Sequence, residues 1–148
     1  MLYQRIFVPI DNSAPSELAM TEAIRLGKSL GATLIIAHSV DTAPQSLSST
    51  ALPESDGLAK PLIDTGHDLL QTAQVHARDA GVAAETVLLH NRGKPIAQSL
   101  LNAARDAAAA VIIMGTHGRT GIMHLLLGSV AEGVLRQTDI PILLVRGD

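Results

Sequence analysis

Between residues 115 and 130 the chain gathers residue types that bind anions. The order is Gly115-Thr116-His117-Gly118-Arg119-Thr120-Gly121, then Ile122 to Leu127, then Gly128-Ser129-Val130. Glycines let backbone N–H groups approach an anion with no Cβ in the way. Gly128-Ser129 opens a helical stretch, whose unpaired first-turn N–H groups and dipole favour phosphate. Arg119 adds a cation able to fork two phosphate oxygens. Ser129 can cap the helix, touch phosphate, or do both. A plain loop with an ordinary helix start would use the same residues. What favours phosphate is placement directly after an apolar strand-like run, Ala110 to Met114.

Other groups offer less. Asp11 follows the first apolar run; it reads as a turn or cap residue, or as an acceptor for a hydroxyl or amino proton of a ligand. The six histidines (His38, His67, His76, His90, His117 and His124) are scattered, with no pair at the spacing of a helical zinc site. His38 ends a buried strand and reads as structural; His117 could contact phosphate or face solvent. There is no Walker loop, no Gly-x-Gly-x-x-Gly after the first strand, and no Ser/His/Asp elbow motif. With no supported catalytic set, the expectation is a binding protein, or at most a slow ATPase or an autophosphorylating protein with Ser129 or Thr120 as acceptor. A nucleotide-free interaction module is the third possibility, disfavoured by the intact glycines.

The elements that must position these residues follow from periodicity. Apolar runs at residues 6–10, 33–37, 85–89, 110–114 and 141–145 read as buried strands. Between them, Ala19, Ala23, Leu26 and Leu30 fall at helical spacing, with Ser13 as cap, Pro15 in the first turn and Gly31 as stop. Leu69, Ala73, Ala77 and Ala80 mark a second helix ended by Gly81. Pro95 opens a third helix with Ile96, Leu100 and Ala103 inward, and the fourth begins near Ser129. Residues 41–57, rich in Ser, Thr, Ala and Pro, read as a long surface loop. Strands alternating with helices predict an α/β fold: a doubly wound, Rossmann-like parallel sheet of five strands in order 3-2-1-4-5, helices on both faces, residues 1–148 forming one domain. Ligands of such sheets sit at the carboxyl ends of the strands where the order reverses. That places a site at Asp11 and at the loop from Gly115.

Composition limits the function classes. The chain has 148 residues, 47% hydrophobic and 17% charged, enough for a real core without staples. Aromatics are limited to Tyr3 and Phe7, so the core is aliphatic. A net charge of −3 and the lack of stacking platforms argue against nucleic acid. There is no cysteine, which excludes disulfides and thiolate metal sites. No apolar run approaches the roughly 20 residues of a membrane span. Residues 1–10 lack the regions of a signal peptide, so a cytoplasmic location is expected.

On these residues the sequence resembles the universal stress protein family. The likeness runs over nearly the whole chain: Val8-Pro9-Ile10-Asp11-Asn12-Ser13, then Ala37-His38-Ser39-Val40, and most strongly Val111 to Val145. ATP-binding members carry Gly, two residues, Gly, nine residues, then Gly-Ser/Thr; here Gly115, Gly118 and Gly128-Ser129 reproduce that spacing. The resemblance implies ATP as ligand, with Mg²⁺ or Mn²⁺ held through its phosphates. It implies that Gly115, Gly118, Arg119, Gly128, Ser129 and Val130 hold phosphates and ribose. Pro9, Ile10 and Asp11 would border adenine and ribose, and Met114 would line the base pocket. Ser39, also assigned to that pocket, stands where many relatives carry an apolar residue; Ala110 stands where many carry Asp. A regulatory role in the stress response through an unnamed protein partner is implied too. In the expected strand order Ile142 to Val145 forms an unprotected apolar edge, which predicts a homodimer through that strand; the resemblance implies the same.

Overall fold

The computed structural model describes residues 2–42, 55–116 and 127–146. Five strands among them, β1 (Arg5–Pro9), β2 (Thr33–Val40), β3 (Ala83–His90), β4 (Val111–Gly115) and β5 (Ile142–Val145), form one parallel sheet in the order β3-β2-β1-β4-β5. Four helices alternate with them: α1 (Ala14–Leu30), α2 (Ser55–Asp79), α3 (Ile96–Asp106) and α4 (Ser129–Gln137). The fold class and strand order expected from the sequence are those observed.

Strand alternation sorts the core into two layers. Ile6, Val8, Leu34, Ile36, Val111 and Ile113 point toward α1 and α2, where they meet Ala19, Ala23, Leu70 and Ala77. Phe7, Ile35, Ala37, Ile112 and Met114 point the other way, onto Leu100, Leu101 and Ala104 of α3 and Ala131 and Val134 of α4. Buried on both faces, β1 and β4 carry apolar side chains at every interior position, as central parallel strands must. At roughly 25 cal/mol per Å² of apolar surface, this burial is the main force holding the sheet to its helices.

The ends of α1 are set by local chemistry. Ser13 is the N-cap, its Oγ accepting from the Ser16 N–H at 3.2 Å, and Gly31 closes the helix in the left-handed region at φ 66°. The buried stripe is Ser16, Ala19, Met20, Ala23, Ile24 and Gly27. Leu30, expected inward, is 36% exposed. Gly27 continues the stripe instead, because a Cβ there would stand 3.0 Å from Val82 and 3.2 Å from Leu34. Ile96, also expected inward, is 40% exposed, since it opens α3 at the rim of a cleft.

The loop expected over residues 41–57 ends earlier than that. Ser55, Asp56 and Gly57 belong to α2, which contains Pro61. Proline inside a helix removes one backbone hydrogen bond, yet the helix runs on to pack Leu70 and Ala77 against the sheet. The rest of that stretch, residues 43–54, lies outside the described residues. Among the described residues no helix is long and apolar enough to cross a membrane.

Candidate nucleotide site

The sheet reverses direction of travel at β1: the chain moves outward through β2 and β3, then returns to the other side for β4 and β5. At the carboxyl ends beside this reversal lies a cavity of about 340 Å³. Its size falls within the range of about 300–1,000 Å³ usual for small-molecule sites. Of the residues assigned to the site from sequence, it is lined by Pro9, Ile10, Asp11, Ser39, Met114, Gly115, Gly128, Ser129 and Val130. Gly118 and Arg119 lie outside the described residues, as do His117, Thr120 and His124.

The two ends of the glycine-rich segment are pinned together. Gly128 N–H donates to the Thr116 carbonyl at 2.7 Å, and Thr116 N–H donates to the Val145 carbonyl at 3.1 Å. Gly115 and Gly128-Ser129 are thereby brought side by side across a separation of more than ten residues. Gly128 takes the N-cap position of α4 with extended backbone, φ −62° and ψ 159°, and no side chain caps the helix. The expected capping role of Ser129 is therefore not observed: Ser129 is the first helical residue, too late in the turn to cap it. The first bond into the helix start is Glu132 N–H to the Gly128 carbonyl at 2.9 Å. Among the described residues the earlier N–H groups of α4 have no backbone partner, and such groups, with the helix dipole, attract an anion.

Asp11 stands on the opposite wall. One carboxylate oxygen accepts from Ser13 N–H at 3.1 Å and from Ser13 Oγ at 2.5 Å. The Asp11 N–H in turn donates to Ser16 Oγ at 3.0 Å. The turn role is thus real and uses Oδ1. Oδ2 makes no hydrogen bond among the described residues, and the residue is exposed at the cleft mouth. A carboxylate so oriented can accept from ligand hydroxyls.

His38 fastens the floor. Its Nδ1 lies 2.7 Å from the Ile10 carbonyl oxygen; a carbonyl only accepts, so Nδ1 carries the proton of that bond. This ties the end of β2 to the residue just past β1, as Ile10 N–H to the Ala37 carbonyl does at 2.8 Å. The cleft is also lined by Ser13, Ser16, Ile96, Leu100, Thr116 and Ala131, which sequence reasoning did not assign to it. Ser13 and Ser16 were detectable as near neighbours of Asp11, two and five residues further on. Leu100 and Ala131 read only as core, because core and cleft here share one apolar layer.

Among the described residues no group of three or more His, Asp or Glu side chains is placed to hold a metal ion.

Comparison with known proteins fits this geometry. The model of the universal stress protein family matches residues 2–146. Universal stress protein MJ0531 of Methanocaldococcus jannaschii is 32% identical over 148 residues, covering 98% of this chain and 83% of the relative. YxiE of Bacillus subtilis, also a universal stress protein, is 31% identical over 151 residues, covering 98% of this chain and all of the relative. The solved structure of MJ0577 of M. jannaschii superposes with a TM-score of 0.85 at 24% identity, covering 100% of this chain and 99% of that one. Two further structures of the same fold are of universal stress proteins in complex with cAMP (TM-score 0.69, 24% identity) and, from Archaeoglobus fulgidus, with dAMP (TM-score 0.64, 23% identity).

Proposed function

The chain belongs to the universal stress protein family, and from that premise we propose that it is an ATP-binding regulatory protein acting as one nucleotide-binding unit. The observation that carries this reading is the convergence on one cleft of an uncapped helix start, Gly115 and Asp11. Phosphates would lie at the N-terminus of α4. The ribose would meet Asp11, and the base would lie between Ile10, Ser39 and Met114. Gly118 and Arg119 would close over the phosphates, and Mg²⁺ or Mn²⁺ would accompany them. Two relatives of the same fold take adenine nucleotides, cAMP and dAMP, which supports the base. The glycine spacing of the sequence supports a longer phosphate chain.

Occupancy would act on a partner protein through the cleft rim. A second copy would pair along β5. Val145 and Pro141 turn their carbonyls to β4, accepting from Thr116 and Ile112. Backbone alternation therefore turns the N–H and C=O of Ile142 and Leu144 to the open edge. Leu143 on the same strand is 40% exposed. An open edge of this kind is a pairing template.

Mass spectrometry of small molecules released from the purified, denatured protein tests the ligand. An adenine nucleotide at near-stoichiometric yield is expected. Protein that carries none, and binds none when millimolar ATP, ADP, AMP or cAMP is added back, would overturn the reading.

A further inference from the structure

The sheet face that carries α1 and α2 holds a second cavity, of about 380 Å³. It arises because the two helices rest on different strands, α1 chiefly on β4 and β1, α2 on β3 and β2. They therefore part above the end of β1. The side chains that meet across the gap are small there, notably Thr21 of α1 and Thr72 and Ala73 of α2. Ile10 and Met20, both buried, make an apolar floor with Leu69 and Ala73, which are only partly covered. The rim carries Glu17, Thr21, Thr72 and His76. An apolar hollow of this size with a few polar groups at its edge is the usual build of a small-molecule site. Glu17 is the one carboxylate lining it, and among the described residues no Lys or Arg does. Neither the Glu17 carboxylate nor a His76 ring nitrogen has a hydrogen-bond or ion-pair partner among the described residues. Glu17 also complements the dipole of α1 from its first turn, but that role leaves its oxygens unpaired beside an apolar hollow.

We propose that this cavity binds a small amphipathic amine, its apolar body on Ile10, Met20, Leu69 and Ala73 and its ammonium on the Glu17 carboxylate. Thr21, Thr72 and His76 offer hydroxyls and a ring nitrogen that fix its orientation. Charge decides the class. An anion would meet Glu17 with no Lys or Arg lining the cavity to offset it. An uncharged ring would gain burial alone. An ammonium gains that burial and a charge-assisted hydrogen bond. The proposal does not rest on the nucleotide reading. The two cavities share only Ile10 and Ser16; the rest of this one comes from Asn12, α1 and α2, on the face away from α3 and α4.

Tryptamine, tryptophol and indole-3-acetate present one ring with an ammonium, a hydroxyl and a carboxylate in turn. Each is titrated into the whole protein and followed by backbone amide NMR shifts. Tryptamine should give saturable shifts at millimolar levels, centred on Thr21, Leu69, Ala73 and His76. It should bind about threefold to tenfold more tightly than tryptophol, the worth of one partly exposed charge-assisted hydrogen bond. Indole-3-acetate should bind most weakly. Glu17→Gln, at an exposed position, should remove the advantage of tryptamine and leave tryptophol unchanged. Thr72→Trp, also exposed, should fill the gap and weaken all three. No saturable shifts, shifts centred on Met114 and Gly115 at the other cleft, or indole-3-acetate bound as tightly as tryptamine would overturn the proposal. So would an unchanged preference for tryptamine in Glu17→Gln, or unchanged binding in a folded Thr72→Trp. If Thr72→Trp does not fold, the Glu17→Gln comparison decides alone.

Discussion

Gly115 ends β4 against Pro15 in the first turn of α1, so closely that a Cβ on Gly115 would stand 2.8 Å from both the Pro15 carbonyl oxygen and its Cβ. The glycine thus has a packing reason as well as the anion-approach reason its sequence context suggests. It lets α1 start beside the cleft, which keeps Ser13, Ser16 and Asp11 at the wall opposite α4.

Gly115→Ala should therefore cost stability as well as affinity. Backbone atoms cannot step aside as a flexible side-chain end can, so the helix start must shift. A loss of about 1–3 kcal/mol is expected, read by urea denaturation. A variant as stable as the parent would show that the contact relaxes freely.

Gly128 poses the cleaner test of the proposed phosphate site. Its backbone is extended, φ −62° and ψ 159°, a conformation any residue adopts. Gly128→Val should leave far-UV circular dichroism native while nucleotide affinity drops about tenfold or more through loss of close approach. Native affinity would remove the start of α4 from the site.

Ser13→Ala removes the cap of α1 and the hydroxyl bond to Asp11, leaving the backbone N–H bond to the same carboxylate oxygen. A destabilisation of about 1 kcal/mol is expected from the cap alone. A variant that loses nothing in thermal or urea unfolding would show that Asp11 or water takes over the cap.

Leu144→Pro probes the proposed dimer. The Leu144 N–H faces away from β4, so proline takes a donor from the open edge and not from the β4–β5 ladder. Light scattering at tens of micromolar should show a dimer for the parent and a folded monomer for the variant. A monomeric parent, or a variant that stays dimeric and folded, would move the interface off β5.

Much of the fold was legible because its strands are buried on both faces, and the chain writes them as unbroken apolar runs between punctuating residues. Ser13, Gly31 and Gly81 marked helix ends correctly because caps and left-handed positions admit few residue types. The start of α2 was less legible, since Ser55, Asp56 and Gly57 are loop formers taken singly and Pro61 argues against a helix. The candidate site was readable where glycine, Asp and helix start carry their own chemistry. It was not readable at Leu100 and Ala131, whose apolar side chains look the same whether they face core or cleft. Nor could sequence show that Ser39 Oγ is buried with no partner among the described residues.

The most direct measurement is calorimetric titration of ligand-free protein with ATP in Mg²⁺, paired with melting curves at each nucleotide level. Binding to the native state alone adds RT ln(1 + [L]/Kd), about 2.7 kcal/mol at a hundredfold excess over Kd. Saturable binding of one ATP per chain and a matching rise in Tm are expected, with both effects greatly weakened in Gly128→Val. No heat and no shift with millimolar ATP, in protein shown to be folded and ligand-free, would contradict it.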